Sequence, residues 1–315
     1  MEFDGKKIVV TGGKGFLGSR VVEILEKKYL VKAADITIPR SKNVDLRIFE
    51  NAKDLLKNKD IVINLAANVG GIGYNQKFPG TLFYDNLMIG ANILESARLN
   101  DVGKIVQVGT VCSYPKIVDV PFKESDLWNG YPEETNAPYG IAKKALFVMG
   151  EAYSKQYSIN VINLIPVNLY GPGDNFNEER SHVIPALIKK FTEASSVNAE
   201  SVTLWGTGRA SREFLYVDDA ANGIVLASLN YNEVAPVNIG TGKEISISEL
   251  AKLIAKIVGF NGLIQWDTTR PDGQPRRCLD VSKAFHYFGF KASTKLEDGL
   301  SKTVDWYLNH HNDIM

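Results

Sequence analysis

Cysteine and histidine are scarce: two cysteines and four histidines serve 315 residues. Cys112 and Cys278 form neither a disulfide framework nor a zinc pattern, and the plain expectation is a reducing, cytoplasmic compartment with no metal. An excess of charge of one sign is lacking too. The 36 basic and 36 acidic side chains cancel, which argues against a nucleic-acid field spread over the surface. An anionic ligand must then be held by a local cluster. No apolar run approaches the roughly 20 residues that cross a bilayer. The segment ahead of the first apolar run, MEFDGKK, lacks the hydrophobic core of a secretory leader. Repeats and low-complexity stretches are missing as well.

What is present is an ordinary globular composition, 44% hydrophobic and 23% charged, in a length suited to one α/β domain with an appended lobe. Apolar runs predict strands at Lys7–Thr11, Leu30–Asp35, Asp60–Leu65, Lys104–Val108 and Asn160–Ile165. Helical periodicity predicts helices at Gly15–Lys28, Thr81–Asn100 and Tyr139–Gln156 among them. Such alternation implies a Rossmann-type, doubly wound parallel sheet covered on both faces, with ligands at the carboxyl ends of its strands. Helices expected at His182–Ala194, Asp218–Leu229, Ser246–Val258 and Leu296–His310 belong mostly to a smaller C-terminal α/β lobe. The expected division is residues 1–166 for the dinucleotide and 167–315 mostly for the substrate, with late sheet elements returning from about 213–240.

Gly12, Gly15 and Gly18 follow the first strand and open the first helix, with Phe16 and Leu17 between them. Glycines there permit a tight turn and let backbone approach a pyrophosphate, while the helix end supplies N–H donors. Asp35, at the predicted end of the second strand, would accept hydrogen bonds from the adenosine ribose and repel a 2′-phosphate. That favours NAD(H), although Lys14 and Arg40 leave NADP(H) possible. Asp45 and Leu46 are placed beside the adenine. Small Ala66 and Ala67, after Leu65, let a cofactor lie close to the sheet.

Tyr139 and Lys143 stand four apart on a helix and share a face. The ammonium, aided by a positive nicotinamide, is expected to lower the phenol from its usual ~10 into a range useful for acid–base work. Thr110, after the fourth strand, offers a hydroxyl to the substrate oxygen and completes a triad.

The chain resembles the GDP-L-fucose synthase family, the 3,5-epimerase/4-reductases of GDP-4-keto-6-deoxy-mannose. The likeness rests on Val69–Ile72 (VGGI), Cys112–Lys116 (CSYPK), Asn168–Pro172 (NLYGP), Asp174–Phe176 (DNF), Ser181–Ala186 (SHVIPA), Trp205–Gly208 (WGTG), Arg212–Phe214 (REF), Asn238–Gly242 (NIGTG) and Pro271–Arg276 (PDGQPR). The resemblance implies that Cys112 and His182 are the epimerisation acid and base. It points to Asn168, Val183, Lys190, Trp205 and Arg212 for the GDP-sugar, with Arg276 or Arg277 adding charge. It also implies a homodimer through the helices at 81–100 and 139–156, where Leu82, Phe83, Leu87, Met88, Phe147, Val148 and Met149 serve the contact or the core. Two departures stand out. The family usually uses NADPH and lacks an acid such as Asp35, and Asn68 replaces a Lys or Met. Asp35 therefore keeps an alternative open: an NAD-dependent GDP-sugar epimerase or dehydrogenase that recycles a tightly held cofactor. A non-catalytic dinucleotide sensor is disfavoured by the intact Tyr–Lys pair.

Overall fold

The computed structural model describes residues 3–177, 180–270 and 273–314, and side chains as far as residue 310. Pro271 and Asp272 of the PDGQPR segment lie outside the described residues. The apolar run IVVT becomes β1 (Ile8–Thr11), buried along its whole length. It is followed by α1 (Phe16–Lys27), β2 (Ile36–Thr37), α2 (Phe49–Leu55), β3 (Ile61–Asn64), α3 (Ile72–Lys77) and α4 (Pro79–Leu99). Next come β4 (Lys104–Val108), α5 (Ala137–Tyr157), β5 (Val161–Pro166), β6 (Asn168–Tyr170), α6 (Val183–Ser196), β7 (Ser201–Trp205) and β8 (Ser211–Tyr216). The chain closes with α7 (Val217–Asn230), β9 (Val237–Ile239), β10 (Glu244–Ser246), α8 (Ile247–Val258), β11 (Leu263–Asp267), α9 (Ser282–Phe288) and α10 (Leu296–Ile314). No helix among the described residues is long and apolar enough to cross a membrane.

Six strands form one parallel sheet in the order β2-β1-β3-β4-β5-β9. Alternate residues of each strand face opposite sides. Ile8, Val10, Ile61, Ile63, Val106 and Val108 pack with Val21, Leu25, Ile224 and Val225 of α1 and α7. Val9, Val62, Ile105 and Val161 pack on the other side with Ala52, Ile93, Leu94 and Leu146 of α2, α4 and α5. A separate core lies in the lobe. There Ile184, Leu187, Ile188 and Phe191 of α6 meet Leu250 and Ile254 of α8 and Leu300 and Val304 of α10. The lobe's strands pair as β10-β8-β6 and β11-β7. β8 thus belongs to the lobe, while α7 returns to α1 and β9 completes the large sheet beside β5.

The second strand departs from expectation. Leu30–Val31 is the exit turn of α1: Leu30 is exposed with φ 55°, and Val31 N–H donates to the Leu25 carbonyl at 3.0 Å. Ala33–Asp35 forms a 3-10 turn, and the strand starts after it. Ile36 pairs with Ile8, so Asp35 sits at the amino end of the sheet. Its carboxylate is ion-paired with Lys7, which precedes β1, and that hydrogen bond lowers its pKa.

Strand order reverses between β1, whose other neighbour is β2, and β3. The crevice outside their carboxyl ends is where such sheets bind ligands. A row of buried side chains fixes it. The Thr11 hydroxyl donates to Asn64 Oδ1 at 2.7 Å, and Asn64 Nδ2 donates to Gln107 Oε1 at 2.6 Å. Thr11 Oγ1 also accepts the backbone N–H groups of Leu65 and Ala66, each at 3.1 Å. The loop leaving β3 is thereby pinned beside the one leaving β1.

Candidate active site

A cleft of about 1610 Å³ runs along this carboxyl edge and into the lobe. Its floor at one end is the glycine loop. Gly12 has φ 69°, and a Cβ at Gly18 would lie 2.1 Å from the Gly12 carbonyl oxygen. The first turn of α1 has no side-chain cap on its N–H groups. Free donors and a positive helix end facing a cleft suit a pyrophosphate. Phe16, Leu17, Leu65, Ala66 and Ala67 line the same end, so this chain's residues fit a dinucleotide.

Asp45 and Leu46 line the cleft too. The Asp45 carboxylate accepts from the Arg47 backbone at 3.0 Å and from its Nη2 at 2.7 Å, which holds its pKa low. Arg47 Nη1 also reaches Asp85 at 3.0 Å, and Asp85 accepts from Asn68 Nδ2 at 3.0 Å. Asp35 does not line the cleft. The chain leaving β2 brings Pro39, Arg40 and Ser41 there instead, and Lys14 lines the same cleft.

Across the sheet edge, α5 begins just ahead of Tyr139. Lys143, one turn on, is buried, and its Nζ donates to the Val108 carbonyl at 3.1 Å. Burial lowers Lys143 to about 8. Burial also raises Tyr139 above its usual value, the neighbouring Cys112 adds to that shift, and a hydrogen bond with Thr110 opposes it. In the protein alone, desolvation outweighs the other influences on the phenol; the lowering expected of Lys143 is with the cofactor's positive ring beside it. Thr110 Oγ1 accepts the Cys112 N–H at 3.2 Å, capping the 3-10 turn Val111–Ser113. Helix α5 docks on that turn with no room to spare. A Cβ at Gly140 would lie 2.3 Å from the Cys112 carbonyl oxygen, and Ser113 Oγ donates to the Gly140 carbonyl at 3.0 Å.

His182 is the N-cap of α6 and lines the cleft. Its ring is open to the cleft, yet the surrounding walls are close enough for desolvation to lower its pKa. The segment before it is held by Gly71, whose N–H donates to the Arg180 carbonyl at 3.1 Å. Asn168, Val183, Lys190, Trp205 and Arg212 all line the lobe end of the cleft. Asn168 Nδ2 donates to the Glu213 carbonyl at 2.9 Å, and Lys190 Nζ donates to the Thr203 carbonyl at 2.6 Å. Trp205 is exposed, with the Arg270 guanidinium 5.0 Å from its ring centre. Arg276 does not line the cleft; it is turned outward and ion-paired with Glu244. Arg277 lines it instead, with Nη1 3.7 Å from Cys112 Sγ.

Sequence reasoning missed Asn75, Asn136 and Arg180, all of which line the cleft. Asn75 Nδ2 donates to Asn136 Oδ1 at 2.9 Å, and Arg180 stacks on Tyr74. Asn136 stands directly ahead of the Tyr139 helix, and Arg180 directly ahead of the SHVIPA segment.

Sheet order, glycine loop and the Tyr139–Lys143 face together define a nicotinamide-dinucleotide enzyme. Residues 8–240 match the NAD dependent epimerase/dehydratase family. GDP-L-fucose synthase of Escherichia coli (strain K12) is 38% identical, over 98% of this chain and 98% of that protein. GDP-L-fucose synthase 1 of Arabidopsis thaliana is 41% identical, over 96% and 94%. The crystal structure of a GDP-L-fucose synthetase from Naegleria fowleri bound to NADP superposes with a TM-score of 0.87 at 30% identity, covering 98% of this chain and 95% of that one. The chain belongs to the NAD dependent epimerase/dehydratase family and, within it, to the GDP-L-fucose synthase group.

Proposed function

We propose that this chain epimerises a GDP-4-keto-6-deoxy-hexose at C3 and C5 and reduces its 4-keto group, with NADPH as the reductant. The observation that carries the reading is that Thr110, Cys112, Tyr139, Lys143 and His182 line one cleft together with a dinucleotide loop. The 4-keto group acidifies the C–H bonds at C3 and C5, because an enolate spreads the charge. Of Cys112 and His182, one removes a proton from one face of the ring and the other returns a proton to the opposite face. His182, its pKa lowered, is neutral near pH 7 and so able to accept a proton. A dinucleotide held over Gly12, Gly15 and Gly18 would supply the hydride for C4. Tyr139, kept as the neutral phenol by burial, gives its proton to O4 as the alkoxide forms. Thr110 orients that oxygen. Arg212 and Lys190 offer charge to the diphosphate. Exposed Phe83, Tyr84 and Val148 on α4 and α5 support a homodimer contact, whereas Leu82 and Phe147 are buried in the core.

Incubating the protein with the GDP-4-keto sugar and NADPH tests the reading. One NADPH should be oxidised per product formed; product without loss of nicotinamide absorbance would overturn it. The recycling alternative rested on Asp35, which lies at the opposite end of the sheet from the cleft.

Arg40, Ser41 and Lys14 line the cleft where the adenosine ribose of a dinucleotide is expected, and they suit a 2′-phosphate. Arg40→Ala is expected to raise KM for NADPH about tenfold or more and to leave that for NADH within about twofold. Asp35→Ala should change neither. Steady-state kinetics with both cofactors decides, and equal losses with NADH and NADPH would remove Arg40 from a 2′-phosphate site.

Lys143 sets an alkaline limit. It is an ammonium below about 8 and neutral above, so the charge supporting Tyr139 is present at low pH and lost as pH rises. Reduction should fall above pH 8, tenfold per unit at the limit. A pH–rate profile flat to about pH 10 would contradict this.

A further inference from the structure

Arg277 is a buried guanidinium whose hydrogen bonds, among the described residues, go to neutral groups. It is 8% exposed, and Nε and Nη2 both donate to Gln274 Oε1, at 3.2 and 3.0 Å. Nη1 is directed at Cys112 Sγ, 3.7 Å away. Gln274 is itself buried, and its Nε2 donates to the Lys116 carbonyl at 3.0 Å, four residues beyond the sulfur. The fork is therefore anchored on the segment that carries Cys112. Its own backbone is fixed from the other side, since the Arg277 carbonyl accepts the Glu213 N–H at 3.0 Å. Leu279 N–H donates to buried Glu213 Oε2 at 2.6 Å.

Enclosing a cation in protein is costly unless an anion compensates it. Among the described residues, the hydrogen-bond partner of Arg277 that can carry negative charge is the Cys112 sulfur. Tyr139, the other ionisable neighbour of that sulfur, is a neutral phenol. Lys143 and His182 line the same cleft. Glu133, also in the cleft wall, is occupied by Thr135 Oγ1 at 2.6 Å and Asn136 Nδ2 at 2.7 Å. We propose that Arg277 is a positioning residue for Cys112: its guanidinium holds negative charge on the sulfur whenever the thiol has given up its proton, and Gln274 aims it. The inference rests on the reading of Cys112 as one of the two epimerising groups. It names a function for Arg277 that the resemblance, which offered only extra charge for the nucleotide, does not.

Alkylation of the full-length protein by iodoacetamide, followed by mass spectrometry of the peptide containing Cys112, tests this without substrate. Reading that peptide alone leaves Cys278 out of the measurement. Arg277→Gln should slow alkylation at pH 7 about tenfold or more, with the limiting rate above pH 10 unchanged. Arg277→Lys should restore it to within about threefold, and Gln274→Leu should give an intermediate loss. Deuterium exchange from solvent into the GDP-4-keto sugar should fall about tenfold in kcat in Arg277→Gln, with KM altered less than about twofold. An unchanged alkylation rate at pH 7 overturns the proposal. If GDP affinity by calorimetry collapses at the same time, Arg277 serves the phosphates instead. Should Arg277→Gln not fold, Gln274→Leu decides on the same readout, and an unchanged rate there overturns the proposal. Wild-type protein that neither exchanges nor reduces the keto sugar defeats the proposed function, whereas the alkylation result stands or falls separately.

Discussion

Tyr139→Phe is expected to lower the 4-reduction about a thousandfold while leaving proton exchange at C3 and C5 within about threefold of wild type. The substitution removes one oxygen and one hydrogen bond to Thr110. The fold should lose only about 1 kcal/mol, so the loss of rate is chemical. The phenol sits in surroundings that disfavour its anion, and a donor in that state is suited to quenching an alkoxide, a far stronger base. NADPH consumption reads the reduction, and mass spectrometry of substrate recovered from deuterium oxide reads the exchange. If both fall together, the phenol also places the ring for epimerisation, and the division of labour proposed above is wrong.

Cys112→Ala has the complementary expectation. Exchange at one or both of C3 and C5 should fall about a thousandfold, while hydride consumption continues and yields the reduced, unepimerised GDP-sugar. Alanine keeps the Cβ and the backbone, so the docking of Gly140 on the Cys112 carbonyl and the Thr110 cap are untouched. Only the sulfur facing Arg277 is lost. Product stereochemistry by NMR checks the outcome. Epimerised product from Cys112→Ala at wild-type rate would take the thiol out of the mechanism.

Much of this was legible in the sequence because it is written locally. Lys104–Val108 is a strand with the expected ends, and the glycine spacing placed the turn into α1. The i, i+4 rule put Tyr139 and Lys143 on one face. The failures share a cause. Leu30 and Val31 are apolar, so they read as a strand, yet Leu30 turns the chain out of α1 in the left-handed region. That shifted the second strand by several residues and moved Asp35 from one end of the sheet to the other. Arg276 and Arg277 are adjacent and chemically identical. Which one faces the cleft depends on pairing across the lobe, where Glu244 draws Arg276 outward. Helical spacing reveals the proximity of Tyr139 to Lys143 but says nothing of how much water the fold excludes from the phenol. Asn75 and Arg180 stand just outside the VGGI and SHVIPA segments, and neither residue has a motif of its own.

The contact between Gly140 and the Cys112 carbonyl has an implication for how the enzyme tolerates change. Phenol and thiol are mounted on two elements that touch with no side chain between them. Tilting the helix by even a fraction of an ångström moves both reagents at once. Substitutions behind this junction, such as at Phe147, whose ring packs under Gly109, should therefore alter both half-reactions together. Laboratory selection for a pure reductase or a pure epimerase should recover changes at the reagents themselves, and seldom in the scaffold beneath them.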